Sequence, residues 1–512
     1  MSILQGLRRA CQINPHGTAT IDGTRRQTWL QFRDRVARFG GVLRAAGVAR
    51  GGRVAILALN GDAYLEYFYA VPWAGALVVP LNTRLAAPEL VAILNDAGAL
   101  ALLVDETFAA MLPALMPGLT TVRTVFVSGN AAPPPGATSL NAAIEAADPI
   151  AEADASNSDL YGIFYTGGTT AASKGVMLSH SNIVANAMNM LTEVSFNPDT
   201  VYMHAAPMFH LADCSATFSL TMAGGTHTFV SRFDPVAAMQ AIQTLRITNS
   251  ILVPAMIGMI VNAPTIADYD LTSLTGLLYG GQSISEAVLR RAIECLPTCR
   301  FVQAYGMTEL SPVATFLSPR YHATEGPDSG RLRAAGRAAP TVEIRIGDEE
   351  DREVPRGTVG QILVRGPVVM QGYWNQPALT ADALRGGWMH TGDGGYMDDG
   401  GFVFVVDRIK DMIITGGENV YSAEVENAIY QHPAVAMCAV IGVPDEQWGE
   451  RVHAVISLKP GQTVTESDIV AHCRARIAGY KCPRTVSLRT DPLPLSGAGK
   501  VLKTVLRAEL QV

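Results

Sequence analysis

The feature that most restricts the fold of this chain is an alternation. Short apolar runs trade places with stretches of helical spacing along most of its 512 residues. Val54-Ala55-Ile56-Leu57-Ala58-Leu59 reads as a strand, because so short an unbroken apolar run suits one covered on both faces. Ile183, Val184, Ala187, Met188 and Leu191 recur at helical spacing behind Ser181, which serves as the N-cap. Leu277-Leu278-Tyr279 reads as a strand ending in Gly280-Gly281, followed by a helix that opens near Ser285-Glu286. Strand and helix in this order predict layered α/β architecture with mostly parallel sheets. There is no repeat at a solenoid or propeller period. The one low-complexity patch, Ala131 to Gly136, reads as a surface loop between folded subregions.

The C-terminal part reads as a separate small α+β domain. Glu424-Val425-Glu426 opens a helix, and Val435 to Val440 and Val452 to Leu458 suit strands. A further helix carries Ile469, Cys473 and Ile477, and the strand Val486 to Leu488 closes the set. The charged run Asp407-Arg408-Ile409-Lys410-Asp411, between two apolar strands, is the natural seam.

Composition narrows the function classes. With 39 Lys+Arg against 46 Asp+Glu the net charge is -7, which argues against a general nucleic-acid binder. Hydrophobic residues at 48% and charged residues at 17% suit a large core, and ~150 residues per domain suggests two to four domains. No run reaches the ~18 apolar residues of a membrane span. The nearest, Tyr67 to Leu81, contains Pro72 and Pro80. Arg8 and Arg9 precede no apolar signal region, so no secretory signal is expected. Seven scattered cysteines fit a reducing cytoplasm, with the thiols as buried structural groups. Cys295 and Cys299 could share a helix face, but no second Cys/His pair sits nearby to complete a zinc tetrad. The ten histidines form no HExxH, and Gly281-Gln282-Ser283 lacks the closing glycine of a nucleophile elbow. Zinc proteases and elbow-type serine hydrolases are thereby excluded.

Five motifs carry chemistry. The strand Tyr161 to Tyr165 runs into Thr166-Gly167-Gly168-Thr169-Thr170-Ala171-Ala172-Ser173-Lys174-Gly175. Small residues let backbone N–H groups approach a polyanion, hydroxyls add donors and the lysine adds positive charge. It is not a Walker A loop: Ser173 stands where glycine precedes the lysine, and Gly175 where Ser/Thr binds magnesium. Gln303-Ala304-Tyr305-Gly306-Met307-Thr308-Glu309 offers a flat aromatic for a base, then a hydroxyl and carboxylate suited to phosphate and Mg²⁺. Thr391-Gly392-Asp393 can present a carboxylate to ribose hydroxyls. The fourth motif joins the charged seam to Gly416-Gly417-Glu418-Asn419, and the fifth is Lys500 at the end of Leu493-Pro494-Leu495-Ser496-Gly497-Ala498-Gly499. Taken alone, each is a weak signal that reads more simply as an ordinary turn, a solvated charge run or an exposed lysine.

Together and in this order the motifs resemble the AMP-forming adenylate superfamily, and within it the acyl-CoA synthetases, the fatty-acid type especially. The likeness runs from Thr28-Trp29 to Lys500. It includes Pro207-Met208-Phe209-His210, Tyr279-Gly280-Gly281, Gly366-Pro367, Met370-Gln371-Gly372-Tyr373-Trp374, and Asp445 with Trp448-Gly449-Glu450. The resemblance implies an α/β fold: a large N-terminal domain, 1–407, of layered sheets and helices with a small β-barrel-like subdomain. A hinge at 408–410, centred on Lys410, and a small mobile α+β domain, 411–512, would follow. It implies ATP, Mg²⁺ and CoA as co-substrates and cofactors, a small carboxylic acid as substrate, and no nucleic acid, and it leaves a homodimer open. The implied activity is an acid–thiol ligase in the cytoplasm, making acyl-AMP and then acyl-CoA.

The resemblance also implies roles by position. Thr166, Gly167, Gly168, Thr169, Thr170 and Lys174 would hold the β- and γ-phosphates. Gly281, Gln282, Gln303, Ala304, Tyr305, Gly306, Met307 and Thr308 would line the adenine and α-phosphate, with Thr169 and Glu309 at Mg²⁺. Asp393 would take the ribose hydroxyls with Arg408 in support. Lys500 would be the adenylation lysine, Gly416 and Gly417 would flank a pantetheine channel, and His210 would gate the acyl pocket. Such a reaction needs cations and aimed N–H dipoles to offset anionic repulsion as charge moves onto pyrophosphate. The second half-reaction needs a thiol channel where Lys500 stood, so a swing about Lys410 would rebuild the site.

Three loop positions depart from the family pattern. Gly167 replaces a serine, Ala171 a glycine and Ser173 a proline, which predicts weaker ATP binding or an altered loop. Ser422 stands where proline is usual and reads as a helix N-cap. The acyl pocket would be walled by Leu211, Ala212, Ala216, Gly280, Ala304, Pro312 and Val313, all small or apolar. The windows 210–216, 279–283 and 304–313 hold no Arg or Lys to pair a second carboxylate, which argues against a dicarboxylate. A medium- or long-chain fatty acid is the first expectation and a phenylpropanoid or other aryl acid the second. Two rivals are an acyl-AMP ligase that loads a carrier protein, although no carrier domain follows Lys500, and a catalytically dead nucleotide binder.

Overall fold

The computed structural model describes residues 2–166, 173–282, 284–495 and 501–510, with the backbone alone at 410. Short apolar runs form the centres of two large sheets. One has eight strands in the order Gly372–Tyr373, Lys174–Ser179, Leu160–Thr166, Leu77–Pro80, Arg53–Leu57, Ala99–Asp105, Thr124–Ser128 and Thr138–Ser139. From Leu160–Thr166 outward the pairings are parallel, whereas Lys174–Ser179 runs antiparallel to both its neighbours. The other sheet has nine strands, with Val201–His204, Asn249–Leu252, Gly276–Gly280 and Arg300–Gly306 as parallel neighbours near its middle. Antiparallel Val313–Leu317 follows at the side of Arg300–Gly306. Open parallel sheets of this kind take ligands at the carboxyl ends of their strands. The expected motifs lie there: Gly280, Gly306 and the turn after His204.

The helix His180–Val194 forms as its spacing predicts, but its cap is Ser179 and not Ser181. Ser179 keeps extended backbone, its hydroxyl accepts the Asn182 N–H at 3.2 Å, and the Asn182 side chain accepts the Ser179 N–H at 2.7 Å. Ser181 already lies inside the first turn and cannot cap it. Ser285 does cap Glu286–Cys295, accepting the Val288 N–H. That helix ends at Cys295, so Cys299 lies beyond it and the two do not share a helix face. All seven cysteines are free, and five are buried. Among the described residues no helix is long and apolar enough to cross a membrane.

The barrel-like subdomain implied by the resemblance takes the form of a four-stranded antiparallel sheet, Glu343–Gly347, Gly360–Arg365, Met389–Met397 and Val403–Arg408. The smaller C-terminal domain pairs Val435–Asp445 with Gly449–Leu458, and sets Thr485–Arg489 parallel to the latter. Helices Ser422–Tyr430 and Glu466–Arg474 pack on this sheet around Val425, Ile429, Ile469 and Cys473. Ile477 lies past the end of the second helix, although its N–H still reaches the Cys473 carbonyl at 2.9 Å. Ser422 is no cap either: it is the first helical residue, behind Tyr421. It is fully buried, its N–H donates to the Asp407 carboxylate, and its hydroxyl accepts from Lys503. Proline there would remove that N–H.

Candidate active site

The residues expected to hold the nucleoside come together where Arg300–Gly306 meets the four-stranded sheet. Glycines allow the approach. A Cβ on Gly306 would sit 1.9 Å from the Pro312 carbonyl oxygen, and one on Gly280 2.2 Å from that of Ala304. Tyr305 donates its hydroxyl to Asp393 Oδ2 at 2.7 Å, and Arg408 Nε lies 2.6 Å from Asp393 Oδ1. Asp393 is buried, and it faces Arg408 directly across the antiparallel register. Burial and the Asp393 charge push the Tyr305 phenol far up, so it stays a donor. The pairing expected of Asp393 and Arg408 is therefore present, and Tyr305 joins them through its hydroxyl as well as offering a ring. Behind this strand Tyr279 donates to His322 Nε2 at 3.0 Å. Gln303 pairs with Tyr279 in register. Ala304 is buried, Met307 packs against the main core, and Gly281 and Gln282 follow the strand end as a turn.

The described residues expected at the phosphates come from both large sheets. Thr166 and Lys174 face each other at the ends of their antiparallel strands. The expected residues between them, Gly167, Gly168, Thr169, Thr170 and Ala171, lie outside the described residues, as does Lys500. The Lys174 ammonium stands 5.5 Å from the ring centre of Tyr373. Tyr373 donates its hydroxyl to Glu309 Oε1 at 2.8 Å, and both side chains are buried. Thr308 opens the short 3-10 turn Thr308–Leu310 beside Glu309, and its hydroxyl bonds to no other described residue. Among the described residues no group of three or more His, Cys, Asp or Glu could enclose a metal ion. A single buried carboxylate fits Mg²⁺ shared with substrate phosphates, not an ion held in a protein cage.

The residues expected to wall an acyl pocket lie as follows. His210 stands at the start of the helix Leu211–Ala223, its ring 5.5 Å from that of Phe209. Ala212 occupies the first turn of that helix, and Val313 is buried beside half-buried Pro312. Gly416 and Gly417 make the turn of the hairpin Ile413–Thr415 and Glu418–Val420, with φ of 62° and 82°, so both use the left-handed backbone that two-residue hairpins favour. Both are exposed, and Gly416 donates its N–H to the Trp448 carbonyl. No hydrogen bond joins them to either end of the nucleotide site among the described residues. At the seam Lys410 lies in the turn Ile409–Asp411, and only its backbone is described.

Sequence reasoning missed three supports. Tyr373 is visible as part of a motif, but the motif alone assigns it no partner. Asn60 donates to the carbonyls of His204, Ala206 and Val230 and accepts the Met208 N–H, so it shapes the turn before His210. Asn182 donates to the carbonyls of Pro367 and Val369, pinning the segment that leads to Tyr373. Its spacing from Ser179 is a capping-box signal that could have found it.

Known proteins share this fold and much of its sequence. The family model for AMP-binding enzymes matches residues 7–374, and that for the AMP-binding enzyme C-terminal domain matches 424–500. The chain is 40% identical over 500 residues to a feruloyl-CoA synthase from Amycolatopsis sp, across 98% of this chain and 97% of that one. It is 33% identical over 513 residues to the long-chain-fatty-acid–CoA ligase FadD13 of Mycobacterium tuberculosis, across 98% and 97%. The crystal structure of ATP-bound MatB from Rhodopseudomonas palustris superposes with a TM-score of 0.88 at 30% identity, covering 100% of this chain and 99% of that one. The chain belongs to the AMP-binding enzyme family, among the adenylate-forming acyl-CoA ligases.

Proposed function

We propose that this chain joins an apolar monocarboxylic acid to CoA, with an aryl acid of the hydroxycinnamate class ahead of a medium- or long-chain fatty acid. The chain is an AMP-forming acid–CoA ligase that works in two steps, of which the first consumes ATP. The carboxylate oxygen attacks the α-phosphorus and pyrophosphate leaves. The CoA thiol then attacks the acyl carbon, and AMP leaves with the electron pair of the broken bond. The observation that carries the reading is that two carboxylates are each held by a tyrosine hydroxyl around the end of the strand Arg300–Gly306: Asp393 by Tyr305 within that strand, and Glu309, just past its end, by Tyr373. Asp393 is set to receive ribose hydroxyls. Lys174 supplies positive charge at the phosphates, and Thr308 a hydroxyl that bonds to no other described residue. Mg²⁺ bound with ATP would supply further charge neutralisation at the phosphate oxygens, with Glu309 as its protein ligand.

The greater identity to a feruloyl-CoA synthase than to a long-chain ligase supports the aryl acid. The small residues Ala212, Gly280, Ala304 and Val313 keep the fatty acid as the second reading, since one methylene changes discrimination by only ~1–3 kcal/mol. His210 would gate this pocket, and Gly416 and Gly417 would border the thiol path. We take 1–407 as the body, 408–410 as the hinge and 411–512 as the domain that delivers Lys500.

ATP–pyrophosphate exchange over a panel of acids tests the reading. Exchange is expected with ferulate or a fatty acid and not with malonate, and addition of CoA should convert the adenylate to thioester. No exchange with any acid would leave a nucleotide binder without catalysis. An adenylate that persists in CoA would point to carrier loading. Lys500→Ala should lower exchange by ~10²–10³ while sparing thioester formation from supplied acyl-AMP. Equal loss of both would refute the assigned division of labour.

A further inference from the structure

Glu309 and Lys174 have opposite charges, opposite tasks and a shared neighbour. A buried carboxylate and a half-buried ammonium this close to one side chain would ordinarily pair, since the attraction offsets part of the cost of burying the carboxylate. They do not: no ion pair joins them, and each instead meets a different part of Tyr373. The phenol oxygen holds Glu309 Oε1 at 2.8 Å, and the ring face holds the Lys174 ammonium at 5.5 Å from its centre. A cation over an aromatic face is attracted by the ring quadrupole without being neutralised.

The backbone of Tyr373 is fixed from three sides. The strand Gly372–Tyr373 pairs antiparallel with the strand that begins at Lys174, Tyr373 opposite Val176. The Trp374 N–H reaches the Gly175 carbonyl at 2.7 Å, and the Tyr373 N–H reaches Thr380 Oγ1 at 2.9 Å. Gly372 has φ of 140°, and a Cβ there would sit 2.5 Å from Thr380 Cγ2, so the backbone can turn this tightly only with glycine. On the other side the Met370 N–H donates to the Glu309 carbonyl at 2.8 Å. One five-residue segment, 370–374, is thus wedged between the acid and the lysine.

We propose that Tyr373 is a positioning residue that holds Glu309 and Lys174 apart, so that the carboxylate stays available to the metal-bound triphosphate and the ammonium to its oxygens. This rests on the ATP-dependent reading above. Burial and the Glu309 charge keep the phenol protonated far beyond neutral pH, so it remains a donor throughout the working range. Without the ring, Lys174 can swing onto Glu309, and each group loses its role to the other.

Equilibrium binding of AMP and of ATP with Mg²⁺, measured by calorimetry on the full chain, tests this without any acid substrate. Tyr373→Phe keeps the ring and removes the hydroxyl, and Tyr373→Leu removes both. AMP affinity should stay within about twofold in both variants, because among the described residues no hydrogen bond joins Tyr373 to Tyr305, Asp393 or Arg408. ATP affinity should fall about tenfold in Tyr373→Phe, the scale of one hydrogen bond to a charged group, and further in Tyr373→Leu. The Mg²⁺ concentration for half-maximal ATP binding should rise in the same order. Wild-type ATP affinity and Mg²⁺ dependence in Tyr373→Leu would overturn the proposal, and so would equal losses of AMP and ATP affinity, which mark general damage. Failure of the ligase reading looks different: wild-type protein that binds both nucleotides yet supports no exchange.

Discussion

The two ends of the proposed nucleotide site are built by opposite means. At the nucleoside end, Asp393 and Arg408 are direct neighbours in an antiparallel register, so the main chain brings acid and base together before any side chain chooses a partner. At the phosphate end, Glu309 follows a strand of the nine-stranded sheet and Lys174 begins a strand of the eight-stranded one. A single tyrosine side chain connects them. Register is shared over many hydrogen bonds and survives the loss of any one side chain. A side-chain bridge does not. The nucleoside end should therefore behave as a preformed seat, and the phosphate end as an adjustable one.

Substitutions at Asp393 and Tyr305 test that contrast most strongly. Asp393→Ala removes the acceptor for Tyr305, Arg408 and the ribose together, and two charge-assisted hydrogen bonds predict a loss of ~10² in kcat/KM for ATP. AMP affinity should fall with it. If AMP affinity survived, the seat would be formed elsewhere and the contrast would break. Tyr305→Phe is milder. It removes one donor while the register still holds Asp393 against Arg408, so KM for ATP should rise by about fivefold. A loss as large as that of Asp393→Ala would mean that the tyrosine, not the sheet, holds the acid.

How much of this was legible beforehand follows the same division. The glycine and hydroxyl motifs, the strand–turn–helix around Ser285 and the acid Asp393 announce themselves, because each is local: spacing within a few residues carries the chemistry. Asp393 with Arg408 was readable because both sit in their own motifs. The Tyr373–Glu309 bond spans 64 residues, and no local pattern says which hydroxyl a carboxylate will meet. The errors were local ambiguities decided by tertiary packing. Ser179 and Ser181 are both good caps, and the chain chooses the one still in extended backbone. Ser422 resembles a cap, but Asp407 and Lys503 claim its N–H and hydroxyl, and these partners lie 15 and 81 residues away.

The smallest expected effect concerns pH, and it reaches both ends. His322 is buried behind the nucleoside strand. Its Nδ1 lies 3.2 Å from the Ser318 carbonyl, and Nε2 accepts from Tyr279, a pattern that requires the neutral ring. His180 is buried directly after the phosphate-end strand, with Nδ1 accepting the Ile3 N–H. Burial depresses both to about 4 from an ordinary value near 6.5. A group depressed on folding contributes its stability in full above its unfolded value. That contribution drains away as protons bind the unfolded chain, here as pH falls from about 6.5 towards 4. The melting temperature should therefore drop across that window. His322→Gln cannot take up a proton, so its drop between pH 7.5 and 5 should be smaller than that of the wild type, on the ~2–4 °C scale of about one kcal/mol in a large domain. A parallel pair of melting curves across the window would mean that His322 titrates normally in the fold. The tight seat behind Tyr279 would then be open to water, and the nucleoside end would be no more rigid than the phosphate end.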